Sequence, residues 1–171
     1  MLSQANSTRI HEAGHAVIGC VLGVVISEIR IHPDPQPGEG LGVCVFEGMH
    51  ATLHGWRRLG LHHRRLSHAI RANILMAMAG TEAERTILGR SSGGDSYDRA
   101  QIAALYRELA AIGALPEDHE RKFRRNARLL ARRHRDTIQN VAQALQRRGT
   151  MRGGAIDQYV SIARSWGKLA A

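Results

Sequence analysis

A mainly helical domain with a small β-ribbon is the fold class this sequence predicts, and three observations predict it. A stripe at spacings of three and four runs through Phe123, Ala127, Leu130, His134, Ile138, Val141 and Leu145, with arginines opposite. Aromatic residues make up only 4% of the chain while Ala, Leu and Arg are plentiful, a composition that suits packed helices. Alternating patterning is confined to residues 25–47. There Val25-Ile26-Ser27-Glu28-Ile29-Arg30-Ile31 and Leu41-Gly42-Val43-Cys44-Val45-Phe46 flank a Pro/Gly-rich turn at 33–40. The length, residues 1–171, suits a single domain with a core that needs no staples.

The elements follow in order. Asn6 and Ser7 are good N-cap residues for a first helix over 7–22, and Ile10, Val17, Ile18 and Val21 give it a buried side. The ribbon occupies 25–47, and a loop follows to about 66. A helix over 67–89 buries Ile70, Ile74, Ala77, Met78 and Ile87. Further helices are predicted over 98–112, 117–148 and 154–168, with Gly149 and Met151-Arg152-Gly153-Gly154 as the turn into the last. Cys20 and Cys44 are read as buried, reduced thiols of a cytosolic protein. Two cysteines are too few for a disulfide scaffold or a four-cysteine zinc site.

Chemistry concentrates at residues 11–15, His-Glu-Ala-Gly-His, an H-E-x-x-H pattern. Residues four apart on a helix are separated by about 400° of rotation and roughly 6 Å of rise, so His11 and His15 share a face and can share one metal. Glu12 lies about 100° round from His11, beside the metal, where a carboxylate can take a proton from an activated water. A catalytic zinc needs three protein ligands and an open fourth position. Candidates for the third cluster at Ser91-Ser92-Gly93-Gly94-Asp95-Ser96-Tyr97-Asp98.

These segments resemble the zinc-peptidase domain of the FtsH-type membrane proteases. HEAGHAV is similar to that family's zinc helix. Ala79-Gly80-Thr81-Glu82-Ala83-Glu84-Arg85-Thr86-Ile87-Leu88-Gly89 is similar, without a gap, to its G-G-R-A-A-E-E-x-x-x-G. Gly94-Asp95-Ser96-Tyr97-Asp98 looks like its G-A-S-N-D, whose last aspartate is the third zinc ligand. The resemblance implies a zincin-like helical domain with zinc on His11, His15 and Asp98, Glu12 as general base, and Glu84 accepting a hydrogen bond from the free ring N–H of a ligating histidine. Asp95 is the alternative third ligand. Periodicity favours Asp98, because Ile102, Leu105, Tyr106 and Leu109 continue a helical stripe from it, leaving Asp95 to cap that helix or to bond to the ligands from behind. The family also sets an edge strand beside its zinc helix, where an extended peptide can add as a further strand.

The departures matter equally. Such proteases carry transmembrane helices and an ATP-driven unfoldase ahead of the peptidase. This sequence holds no G-x-x-x-x-G-K-[ST] phosphate loop, and its longest apolar run, residues 16–26, is well short of the roughly 20 residues that span a bilayer. Residues 1–10 lack a signal-peptide core. The expectation is therefore a soluble, cytoplasmic zinc metalloendopeptidase that cleaves unfolded or flexible polypeptides, or substrates delivered by a separate unfoldase. The family's six-membered rings leave no interface legible in one sequence, so the oligomeric state stays open.

Charge supports a second reading. Lys plus Arg number 24 against 15 acidic residues, net +9, with the excess concentrated at Arg121, Lys122, Arg124, Arg125, Arg128, Arg132, Arg133 and Arg135. A non-enzymatic binding or adaptor module could dock an acidic partner or nucleic acid on that helix. Its periodicity and the lack of a reader motif or aromatic platform favour a solvated helix face over nucleic-acid binding. Residues 50–68 carry His50, His54, His62, His63 and His68 with Arg57, Arg58, Arg64 and Arg65. Trp56 and Leu59 make substrate contact the preferred reading there over a second metal site.

Overall fold

Two hydrophobic clusters share one central helix. The computed structural model describes residues 4–32, 41–46, 63–93 and 95–169, with side chains through residue 163. Its elements are α1 (Gln4–Leu22), β1 (Ile26–Ile31), β2 (Gly42–Phe46), α2 (His63–Leu88), α3 (Ser96–Ala111), α4 (His119–Arg133), α5 (Arg135–Arg148), β3 (Thr150–Arg152) and α6 (Gly153–Leu169). The architecture is mainly helical with a small antiparallel sheet. Among the described residues no helix is long and apolar enough to cross a membrane.

The central helix is α2, apolar on two sides. One side, with Met76 and Ala79, packs on α1 and belongs to a cluster that the sheet, α5 and α6 complete through Ile29, Ile138, Val141, Leu145, Met151 and Ile156, with Ile10, Val17 and Ile18 from α1. The other carries Ile70, Ile74 and Met78 against Ile102, Leu105 and Leu109 of α3 and Phe123 and Ala127 of α4. Burying each of the larger of these side chains contributes about 1.5–3 kcal/mol, far more than helix propensity, so packing sets where these helices lie. Small residues let α1 and α2 cross closely: a Cβ on Gly14 would stand 2.7 Å from Ala83 Cβ and 2.8 Å from the Ala79 carbonyl oxygen.

Several boundaries differ from expectation. The helix predicted over 117–148 is broken at His134, whose φ of −107° and ψ of 19° leave the helical range. Its stripe is real, but Phe123 and Ala127 pack into one cluster while Ile138, Val141 and Leu145 pack into the other. A straight helix could not serve both. Residues 150–152, expected within a turn, form β3, which pairs with β1 in the register Ile29↔Met151. β1 is therefore the centre of a sheet ordered β2-β1-β3, and the expected ribbon is its β1–β2 half. Finally, α1 starts at Gln4, so Asn6 and Ser7 lie within the helix and are not its caps.

α2 begins at His63, earlier than the predicted 67, which puts His63, Arg64, Arg65 and His68 on its first turns with exposed side chains. His50, His54, His62, Trp56, Arg57, Arg58 and Leu59, and the turn at 33–40, lie outside the described residues.

Candidate metal centre

One helix face, one neighbouring helix and one helix start converge here. His11 and His15 project from α1 toward α2, their ring centroids 4.6 Å apart and their planes at 80°. Asp98 arrives from the first turn of α3. Its Oδ2 lies 2.9 Å from His11 Nε2 and 3.3 Å from His15 Nε2. One ligand atom from each of these three residues falls within 4.8 Å of the others, a grouping that can hold a metal ion.

Both imidazoles are oriented from behind. His15 Nδ1 stands 2.8 Å from the Met76 carbonyl oxygen, and His11 Nδ1 stands 2.6 Å from Glu84 Oε1. Each Nδ1–H donates to an oxygen acceptor, which turns Nε2 toward the other ring and toward Asp98, the usual arrangement behind a ligating histidine. Glu84 is in turn pinned by Ser7 Oγ at 2.5 Å and by the Ser92 backbone N–H at 2.6 Å, both on Oε2. Its side chain is almost fully buried, at 1% exposure.

The electrostatics favour a cation at this point. Burial opposes charge on His11, yet hydrogen bonds to Asp98 and Glu84 outweigh it and raise the imidazole to about 10. His15 is also raised against the effect of burial, through the charge of Asp98 and its hydrogen bond. Burial would raise the two carboxyls. Instead the charge of His15 and hydrogen bonds from both histidines hold Asp98 well below the usual carboxylate range, and bonds from His11, Ser7 and Ser92 hold Glu84 at about 2. Carboxylates that stabilise a proton on two imidazoles stabilise a metal cation by the same attraction.

Glu12 is buried at 7% exposure beside this group. Burial raises its pKa while His15 and His11 pull it down, leaving it raised overall, the direction that suits a proton acceptor. The inner face of β2 covers it: a Cβ on Gly42 would stand 2.9 Å from Glu12 Cγ and 2.8 Å from Thr8 Cγ2. On the same strand Cys44 is pushed well above the usual thiol value by burial and by the charge of Glu12.

The residues also leave room for an ion. A Cβ on Gly80 of α2 would stand 2.5 Å from His15 Nε2 and 2.7 Å from His11 Nε2, so any larger residue would intrude on the atoms that face the centre. Two imidazole nitrogens and one carboxylate oxygen form a donor set that fits zinc.

Asp95 takes another part. Its Oδ2 accepts from Thr81 Oγ1 at 3.4 Å, its Oδ1 lies 3.1 Å from Arg99, and it precedes α3 without a side-chain cap bond. Ser7, Ser92, Gly80 and the Met76 carbonyl were not singled out from sequence as site groups. Ser7 has a positional signal, four residues before His11 on the same helix face, and Gly80 and Ser92 lie within segments that the sequence already marks.

Part of the basic stretch is engaged inside the fold. Glu82 of α2, with no exposed side-chain surface, receives Arg85 at 2.8 Å, Arg124 at 3.4 Å and Arg128 at 2.7 Å, joining α2 to α4. Arg121 pairs with Asp118 at 2.6 Å. Lys122, Arg125, Arg132, Arg133 and Arg135 remain exposed.

No protein-family model matches this chain, and no curated protein matches it.

Proposed function

We propose that this chain is a zinc-dependent endopeptidase, a zincin-like peptidase of the FtsH type that acts on unfolded or flexible polypeptides. The observation that carries the reading is the convergence of His11, His15 and Asp98 within 4.8 Å, with buried Glu12 next to them. Residues 87 positions apart come together in the pattern that the H-E-x-x-H spacing and the Asp98 stripe anticipate.

Zinc on His11, His15 and Asp98 would polarise the scissile carbonyl and acidify a water. Glu12 accepts the proton of the attacking water on its carboxylate and passes it to the leaving amine. Glu84 and the Met76 carbonyl hold the two imidazoles in one orientation. β2 offers a grip on substrate: among the described residues it pairs with β1 alone, and it covers Glu12, so an extended peptide added to its other edge would pass close to the base.

The test is cleavage of an unfolded protein such as casein by zinc-loaded enzyme. Cleavage should stop on chelation and should fall by at least about 100-fold in Glu12→Gln, with zinc content unchanged. Chelator-insensitive cleavage, or a Glu12→Gln variant as fast as wild type, would contradict the reading.

A further inference from the structure

We infer that Ser7 is a positioning residue of the metal centre, acting through Glu84; the inference rests on the zinc reading above. A hydroxyl inside a helix ordinarily bonds back to the carbonyl one turn earlier, as Thr8 does to the Gln4 carbonyl at 3.1 Å. Ser7 instead reaches across 77 residues of chain to Glu84 Oε2 at 2.5 Å.

That bond completes a hub. Both oxygens of Glu84 are engaged: Ser7 Oγ and Ser92 N–H donate to Oε2 and His11 Nδ1–H to Oε1, with the Ser92 hydroxyl also bonding the carboxylate. With Oε2 held from two directions, the carboxylate plane is fixed and Oε1 is left to His11. The side chain is buried, so water cannot readily replace a lost donor, and an unmatched carboxylate oxygen would turn to find another. Ser92 belongs to the segment between α2 and α3 that delivers Asp98. Glu84 thus ties the orientation of one ligand, His11, to the anchoring of the segment that carries another. Ser7 lies on α1 itself, one turn before His11, and fastens the hub to the helix that bears the histidine pair.

The experiment is zinc affinity of the full chain, measured by competition with a chromophoric chelator, for wild type, Ser7→Ala, Glu84→Ala and the double variant. Supporting groups behind a ligand typically change metal affinity by 10- to 100-fold; acting one bond further away, Ser7→Ala should bind zinc about 10-fold more weakly. In the Glu84→Ala background the same substitution should cost nothing more, because its only route to the metal is gone. The pair Ser7→Thr and Ser7→Val separates the hydroxyl from side-chain volume and from any folding defect of Ser7→Ala: Thr should bind near wild type and Val about 10-fold more weakly. Equal affinities for Thr and Val, or the same loss from Ser7→Ala with and without Glu84, would overturn the role. A wild type that takes up no zinc would instead fail the underlying metal reading.

Discussion

Gly80 faces His15 so closely that a Cβ on the glycine would stand 2.5 Å from the imidazole Nε2. Gly80 is interior to α2, where alanine would ordinarily be favoured by about 1 kcal/mol. Here the added methyl would enter the space into which both Nε2 atoms point. Gly80→Ala should therefore keep its helical circular dichroism while losing most of its zinc by elemental analysis. Full metal content in that variant would show that the ion, if bound, sits elsewhere.

The close crossing of α1 and α2 should be as sensitive. Gly14→Ala gains about 1 kcal/mol of helix propensity, but its methyl meets Ala83 Cβ and the Ala79 carbonyl oxygen, which belong to a packed helix and cannot swing aside. Overpacking of this kind costs about 1–3 kcal/mol, so the clash should prevail. Urea unfolding should show a lower midpoint with an unchanged slope.

Glu82 predicts an acid dependence of stability. Burial would raise its pKa, but hydrogen bonds from Arg128 and Arg85 outweigh burial and bring it below its ordinary 4.5. A carboxyl lowered by folding contributes stability that is present above pH 4.5 and lost as pH falls toward the folded value. Glu82→Gln should cost about 1–3 kcal/mol at pH 7, toward the lower end because Arg85 and Arg128 are 42% and 44% exposed and can return to water. The gap between variant and wild type should close as pH drops below 4.5, as read by denaturant titrations at several pH values. A gap independent of pH would contradict the assignment.

What was legible in the sequence were features with a local period. His11 and His15 are four residues apart, and Asp98 opens a stripe through Ile102, Leu105 and Leu109, all three of which are buried. The central helix and the β1–β2 pair follow from the same kind of pattern. Features set by contacts between distant segments left no such trace. The bond from Ser7 to Glu84 spans 77 residues, so Ser7 read only as a cap. The break at His134 is invisible in a stripe whose spacing continues through it, because spacing alone cannot show that its two halves face different clusters. β3 is three residues long, with Met151 alone pointing inward, too short for alternation to register. Most arginines of α4 are exposed, as a solvated face requires, and Arg124 pairs with Glu120 of the same helix; the reach of Arg124 and Arg128 to Glu82 leaves no trace because that acid sits on another helix.

Whether His11, His15 and Asp98 hold a metal is decided by the zinc content of protein purified without a metal-affinity tag, compared among wild type, Asp98→Ala and Asp95→Ala. About one zinc per chain is expected in wild type and Asp95→Ala, and little in Asp98→Ala, which lacks the carboxylate oxygen that lies 2.9 Å from His11 Nε2 and 3.3 Å from His15 Nε2. Wild type that holds no zinc after loading and removal of excess, or Asp98→Ala that holds as much as wild type, would contradict it.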